Sequence, residues 1–278
     1  DFAATVTKLG SDNATEVQNF ANTFTTKALE GKLEATTTSG KITKENKTSY
    51  TFNNLAAGYY LVYVTGGKEI QSSLVTVDAD TTTVDLKTEA PSIDKTADKT
   101  TVNIGDVVTY TVTGAIPDTT GYAEYVYKIH DELTKGLDFV NDANGTALEA
   151  GATTVNVKVA FKDAGVTDAS TAPTTATVDT ANNRKMSLDL SEWVRANQAN
   201  KGKEFTVTYY AKVNKAAVVT EKNKAQLEYG NKPGETTTTT PSEVKTPTYP
   251  LDILKVKKDS NPEEILAGAH FTLYASTT

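Results

Sequence analysis

Residues 125–131 read YVYKIHD. Successive side chains of a β-strand point to opposite faces. Tyr125, Tyr127, Ile129 and Asp131 therefore share one face, and His130 falls on the other. Residues 223–229, NKAQLEY, repeat the pattern with Asn223, Ala225, Leu227 and Tyr229 on one face. Residues 91–95, PSIDK, place Ile93 and Lys95 together. Each of these three strands carries one polar residue on an otherwise apolar or aromatic face. A lone ammonium in an apolar interior is costly unless it is paired, neutralised or chemically consumed. A buried Lys95–Asp131 ion pair with Asn223 hydrogen-bonded nearby answers the problem on parity alone.

The surrounding sequence extends the β-pattern. DVVTYTVTG (106–114), YAEYVYKIHD (122–131), TTVNVKVAFKD (153–163), EFTVTYYAKVN (204–214) and KAQLEYG (224–230) are strand candidates. LSEWVRANQANKG (190–202) predicts a short helix, with Ser191 as its cap, Gly202 beyond its end and Trp193 packing it onto the sheet. DASTAPTTATVDTANNR (168–184) reads as an exposed excursion. Towards the N-terminus, Val17, Phe20, Ala21 and Phe24 follow helical spacing. SYTFNNLAAGYYLVYVTGG (49–67) predicts two strands around a turn, and SSLVTVDADTTTVDLK (72–87) a further strand pair. KPGETTTTTPSEVKTPTYP (232–250) has linker composition, although its threonine run also suits an edge strand.

The expected fold class is all-β: tandem immunoglobulin-like sandwiches, the first domain with a short helix. Three units are expected: 1–89, lacking its first strand; 90–245, the large middle domain; and 246–278, the truncated start of a third. A hydrophobic content of 38% over 278 residues suits several small β-domains better than one large core. The net charge of −7 without a basic stripe argues against nucleic-acid binding. The absence of cysteine removes thiol catalysis, zinc ribbons and disulfides. The two histidines, His130 and His270, make a poor metal site, so neither metal nor cofactor is expected. No signal peptide and no membrane-spanning apolar run is visible, and the chain reads as a mature or trimmed fragment.

PSIDK, IGDVVTYTV, IPDTTGYAEYVYKIHDELTKGLDF and NKAQLEYGNKP together resemble the middle domain of sortase-assembled backbone pilins of Gram-positive bacteria. NNLAAGYYLV followed by SSLVTVD resembles the preceding domain of those pilins. LDILKVKKDSNPEEILAGAHFTLY is similar to the opening of a collagen-adhesin B-type domain. The resemblance covers nearly the whole chain, in the family's domain order.

The resemblance implies an intramolecular isopeptide bond, with Lys95 as nucleophile, Asn223 as electrophile and Asp131 as the catalytic carboxyl group. It implies single-turnover self-crosslinking and no enzymatic activity toward a substrate. In the third domain, Lys255 is the matching lysine and Lys257 the alternative, with their partner absent from this sequence. Polymerisation in the family joins each subunit, through a pilus sortase, to a lysine on the next, often in a Tyr-Pro-Lys motif. Here the Tyr249-Pro250 pair is followed by leucine, and Lys87 in VDLKTEAP is the positional match. The implied setting is extracellular, on the pilus or cell wall. The implied partners are other pilin subunits and the sortase, with no membrane insertion by this fragment. An adhesin of the same architecture, binding host matrix or glycan, is the alternative.

Overall fold

The computed structural model describes residues 14–40, 49–78, 83–86, 89–120, 122, 124–230, 236–248, 253–262 and 264–272. The first unit opens with helix α1 (Ala14–Glu30). Ala21 and Thr25 are buried, flanked by half-buried Val17, Phe20, Phe24 and Ala28, so the stripe continues the expected helical spacing over about three turns. The helix rests on an antiparallel hairpin, β1 (Gly58–Val64) and β2 (Gln71–Val77). Gln18 Nε2 donates to the Ser72 carbonyl at 2.7 Å, and Ser72 Oγ donates to Asn22 Oδ1 at 2.7 Å. The strand expected before β1 is not formed: residues 50–57 carry no ladder, and Asn54 turns the chain with φ of 60°. Residues 83–86, expected in a second strand pair, are likewise irregular.

The middle of the chain builds two facing antiparallel sheets. One holds β3 (Asp94–Ala97), β4 (Val107–Ala115), β11 (Glu204–Val213) and β6 (Leu137–Val140) in that order, with β8 (Lys158–Phe161) also pairing β11. The other runs from β13 (Thr237–Thr238) through β12 (Thr220–Gly230), β5 (Val126–Leu133), β10 (Lys185–Asp189) and β9 (Thr175–Val178) to β7 (Thr154–Asn156). A further strand, β14 (Ser242–Pro247), pairs with β12 as well.

Burial alternates residue by residue along β4, β5, β11 and β12. Tyr110, Val112, Phe205, Val207 and Ala211 from one sheet meet Tyr127, Ile129, Leu188, Ala225 and Leu227 from the other. Full burial of each large apolar side chain contributes about 1.5–3 kcal/mol, and this interface is the core of an immunoglobulin-like sandwich.

Two Thr-rich segments are more ordered than their composition suggests. Residues 175–178 of the expected excursion form β9, which buries Ala176 and Val178. Within the expected linker, β14 covers the edge of β12 and ends at Pro247, where an edge position tolerates proline.

The predicted helix forms as α2 (Ser191–Ala196), with Leu190 and not Ser191 at the cap. Ser191 Oγ instead accepts the Tyr127 backbone N–H at 3.0 Å, tying the helix to β5. Trp193 packs between Phe161 and Phe205, with ring centroids 5.2 and 5.1 Å away. Its indole N–H donates to Asp168 at 2.9 Å, which anchors the loop before β9. In the third unit, the described residues form a single bridge, Val256 to Ile265.

Candidate functional site

Strand register assembles the site. Across β5 and β12, Asp131 pairs with Ala225 and Leu133 pairs with Asn223. Asp131 and Asn223 are thus diagonal neighbours on the same inward face. β3 brings Lys95 from the opposite sheet, where it lies beside Val112 of β4. Its backbone N–H donates to Ser242 Oγ of β14 at 3.0 Å, a tie between the edges of the two sheets. Lys95 and Asp131 have fully buried side chains, and Asn223 is fully buried too.

Lys95 Nζ donates to Asp131 Oδ2 at 2.6 Å. It also donates to the hydroxyl of Tyr209 on β11, and that hydroxyl in turn donates to the same Oδ2. The three polar groups close a ring. Around it, the amine lies 4.7 Å from the Tyr110 ring centre and 4.6 Å from that of Tyr209, with Phe139 against Tyr209. Parity signalled Lys95, Asp131 and Asn223, whereas Tyr209 reads in the sequence as one more inward aromatic among Phe205, Val207 and Ala211.

Part of the site is left unbonded. Asp131 Oδ1 and both polar atoms of the Asn223 amide have no hydrogen bond of good geometry among the described residues. The Asn223 amide is still close enough to Asp131, Tyr209 and Tyr110 to favour their ionised forms. An unpaired buried polar group costs about 1–3 kcal/mol, so the site concentrates its cost at the Asn223 carboxamide and the Asp131 oxygen.

Electrostatics favours moving a proton. Burial pushes the Lys95 amine below its ordinary range, and the Asp131 charge only partly restores it. Burial pushes the Asp131 carboxyl up, against the opposing effects of Lys95, Tyr209 and Asn223. Both shifts favour a neutral amine beside a protonated acid. Burial, reinforced by Asp131, holds the Tyr209 phenol well above its usual range, so it keeps its proton.

A second buried acid, Glu221, lies two residues before Asn223 on the same face of β12. Its Oε2 accepts from Gly136 N at 3.0 Å and from the Thr134 hydroxyl, and its Oε1 accepts from Val218 N at 2.8 Å. Gly136 must lack a side chain, because a Cβ there would overlap Glu221 and Ala217. Glu221 shares the inward parity of Asn223 and was legible on that ground.

The remaining expected residues lie elsewhere. Lys255 and Lys257 are exposed, and Lys257 pairs with Glu264 at 2.6 Å. Lys87 is outside the described residues. His130 is partly exposed and pairs with Glu228. Among the described residues no cluster of His, Asp and Glu forms a metal site, and no helix is long and apolar enough to cross a membrane.

No protein-family profile matches the chain, and no curated protein does. Its structural neighbours are Gram-positive major pilins, with adhesins among them. The pilus backbone RrgB from Streptococcus pneumoniae is 26% identical with a TM-score of 0.37, over 52% of this chain and 33% of that one. The full-length major pilin SpaD from Corynebacterium diphtheriae is 23% identical with a TM-score of 0.38, over 71% of this chain and 46% of that one. The N-terminal domain of the Streptococcus gordonii adhesin Sgo0707 is 16% identical with a TM-score of 0.39, over 64% and 35%. The chain therefore spans a third of the pneumococcal subunit and under half of SpaD.

Proposed function

We propose that this chain is a structural subunit of a covalently polymerised pilus on the surface of a Gram-positive bacterium. Its sandwich is sealed by an amide between Lys95 and Asn223, formed once by the chain itself with no outside substrate. The observation that carries this reading is a fully buried lysine and aspartate, 2.6 Å apart, beside a buried asparagine whose amide makes no hydrogen bond of good geometry. A purely structural ion pair explains the first two residues and gives no reason to bury an unpaired carboxamide next to them. Condensation removes the ammonium, the ion pair's desolvation cost and the orphaned NH2 group together.

The chemistry follows from the protonation pattern. The neutral Lys95 amine attacks the Asn223 side-chain carbon, while protonated Asp131 polarises the carbonyl oxygen. The Nζ–Cγ bond forms and the Cγ–Nδ2 bond breaks. One amine proton passes through Asp131 to the departing nitrogen, which leaves as ammonia. Packing on four strands supplies the encounter and its orientation. The crosslink joins the first strand of the sandwich to β12 and ties the two sheets together.

In the assembled fibre, Lys87 is the acceptor for sortase-mediated joining of the next subunit. Intact mass spectrometry tests the seal: the purified chain is expected to be lighter than its sequence by one ammonia, and Asp131→Ala to restore the full mass. An unshifted wild-type mass refutes the bond. Incubation with a pilus sortase tests assembly, where loss of the covalent ladder in Lys87→Ala supports the acceptor and an unchanged ladder removes it.

A further inference from the structure

The amine's hydrogen bonds can be counted. A neutral lysine amine has two N–H bonds and one lone pair, whereas the ammonium has three donors. Asp131 Oδ2 takes one N–H and the Tyr209 hydroxyl takes the other. Tyr209 gives its own proton to Oδ2, so it presents an acceptor to the amine. Lys95 Nζ makes no third hydrogen bond among the described residues, so the ring of bonds fits the neutral amine and leaves its lone pair free. The carboxyl group is sorted as well. Oδ2 receives two donors, and Oδ1 is left to carry the proton that the reaction delivers.

We propose that Tyr209 is a fourth catalytic residue of the bond-forming site, engaging one N–H of Lys95 and Oδ2 of Asp131 so that the amine lone pair and the Oδ1 proton are both left for Asn223. This rests on the condensation proposed above. Tyr209 neither gains nor loses a proton over the cycle. It fixes the rotation of the amine about its terminal carbon bond and assigns the two carboxyl oxygens separate tasks. Tyr127, four residues along β5 from Asp131, supplies the comparison from the same core. Its hydroxyl is buried and makes no hydrogen bond of good geometry.

The test follows sealing in time. Full-length wild type, Tyr209→Phe, Tyr127→Phe and Asp131→Ala chains are made by a short pulse of cell-free synthesis. The fraction lighter by one ammonia is read by intact mass spectrometry at successive times. Tyr209→Phe keeps the ring and loses one oxygen, and it is expected to seal about tenfold or more slowly than wild type. Tyr127→Phe is expected to seal at the wild-type rate. Thermal melting of unsealed Tyr209→Phe should be cooperative and close to that of unsealed Asn223→Ala. Equal rates for Tyr209→Phe and wild type overturn the role of Tyr209 and leave the bond intact. Equal slowing by both tyrosine variants, or loss of a cooperative melt in Tyr209→Phe, assigns the residue to packing and also overturns it. A wild type that never loses ammonia overturns the underlying condensation instead.

Discussion

Replacing Asn223 by alanine should cost far more than the side chain's own contacts explain. The Asn223 amide makes no hydrogen bond of good geometry. Its truncation therefore removes packing and an orphaned polar group, effects that nearly cancel to within about 1 kcal/mol. Losing the crosslink is a larger change. For the loop closed between residues 95 and 223, the chain-entropy relation gives about 5 kcal/mol. In a domain of this size each kcal/mol moves the midpoint by about 2–4 °C, so Asn223→Ala should melt about 10–20 °C below the sealed protein. Trp193 is the only tryptophan in the chain and is buried in the sandwich, so its fluorescence reports this unit. A double-mutant cycle isolates the covalent contribution. In an Asp131→Ala background, which cannot seal, the same asparagine substitution should move the midpoint by only a few degrees. An equal drop in both backgrounds would locate the loss in packing, and a difference of only about 2 °C between Asn223→Ala and wild type would mean that no covalent tie supports the fold.

Other outcomes follow from the same geometry. The reactive pair, neutral Lys95 with protonated Asp131, carries as many protons as the ion pair from which it arises. Sealing should therefore plateau between the two titrations of the pair and slow on either side, as the pair gains a proton in acid or loses one in base; a rate rising about tenfold per pH unit throughout, as for an unpartnered lysine, would contradict this. Gly136→Ala forces a methyl group into Glu221 and the Ala217 backbone, and chemical denaturation should show a loss of about 1–3 kcal/mol or more. Asp168→Ala removes the acceptor for Trp193 Nε1 and Asn197 Nδ2, and limited proteolysis should then nick the 163–174 loop faster, with about 1–2 kcal/mol lost from the unfolding free energy.

Much of the site was legible because strand parity is rigid. A polar residue that shares the parity of the apolar face has nowhere to point but inward, which singled out Lys95, Asp131 and Asn223. Parity gives a face and no partner, so their meeting depended on the register of β5 with β12 and on β3 closing the facing sheet. Tyr209 was hidden because an inward tyrosine is indistinguishable in sequence from ordinary core until its hydroxyl's neighbours are known. The strands β9 and β14 were hidden for a different reason. Their Thr, Ser and Pro content matches that of linkers, and neighbouring strands decide their conformation. Helix α2 was visible from its start and stop residues, but its cap was misplaced because the Ser191 hydroxyl serves β5 instead.

Glu221 and Asn223 occupy successive inward positions of one strand, and this gives the seal a further meaning. A slip of β12 by one residue would turn every inward side chain outward, an error that the core rejects strongly. A slip by two preserves the faces and is the more dangerous mistake, since in one direction it would set the Glu221 carboxylate where the carboxamide belongs. Gly136, Val218 and Thr134 hold Glu221 at its own position. A chain slipped in that way would have no ammonia to release. If the proposed bond forms, it would act as an inspection mark, stamped only on chains whose strands have found their proper alignment, and the mass of the chain population would become a census of how many folded correctly.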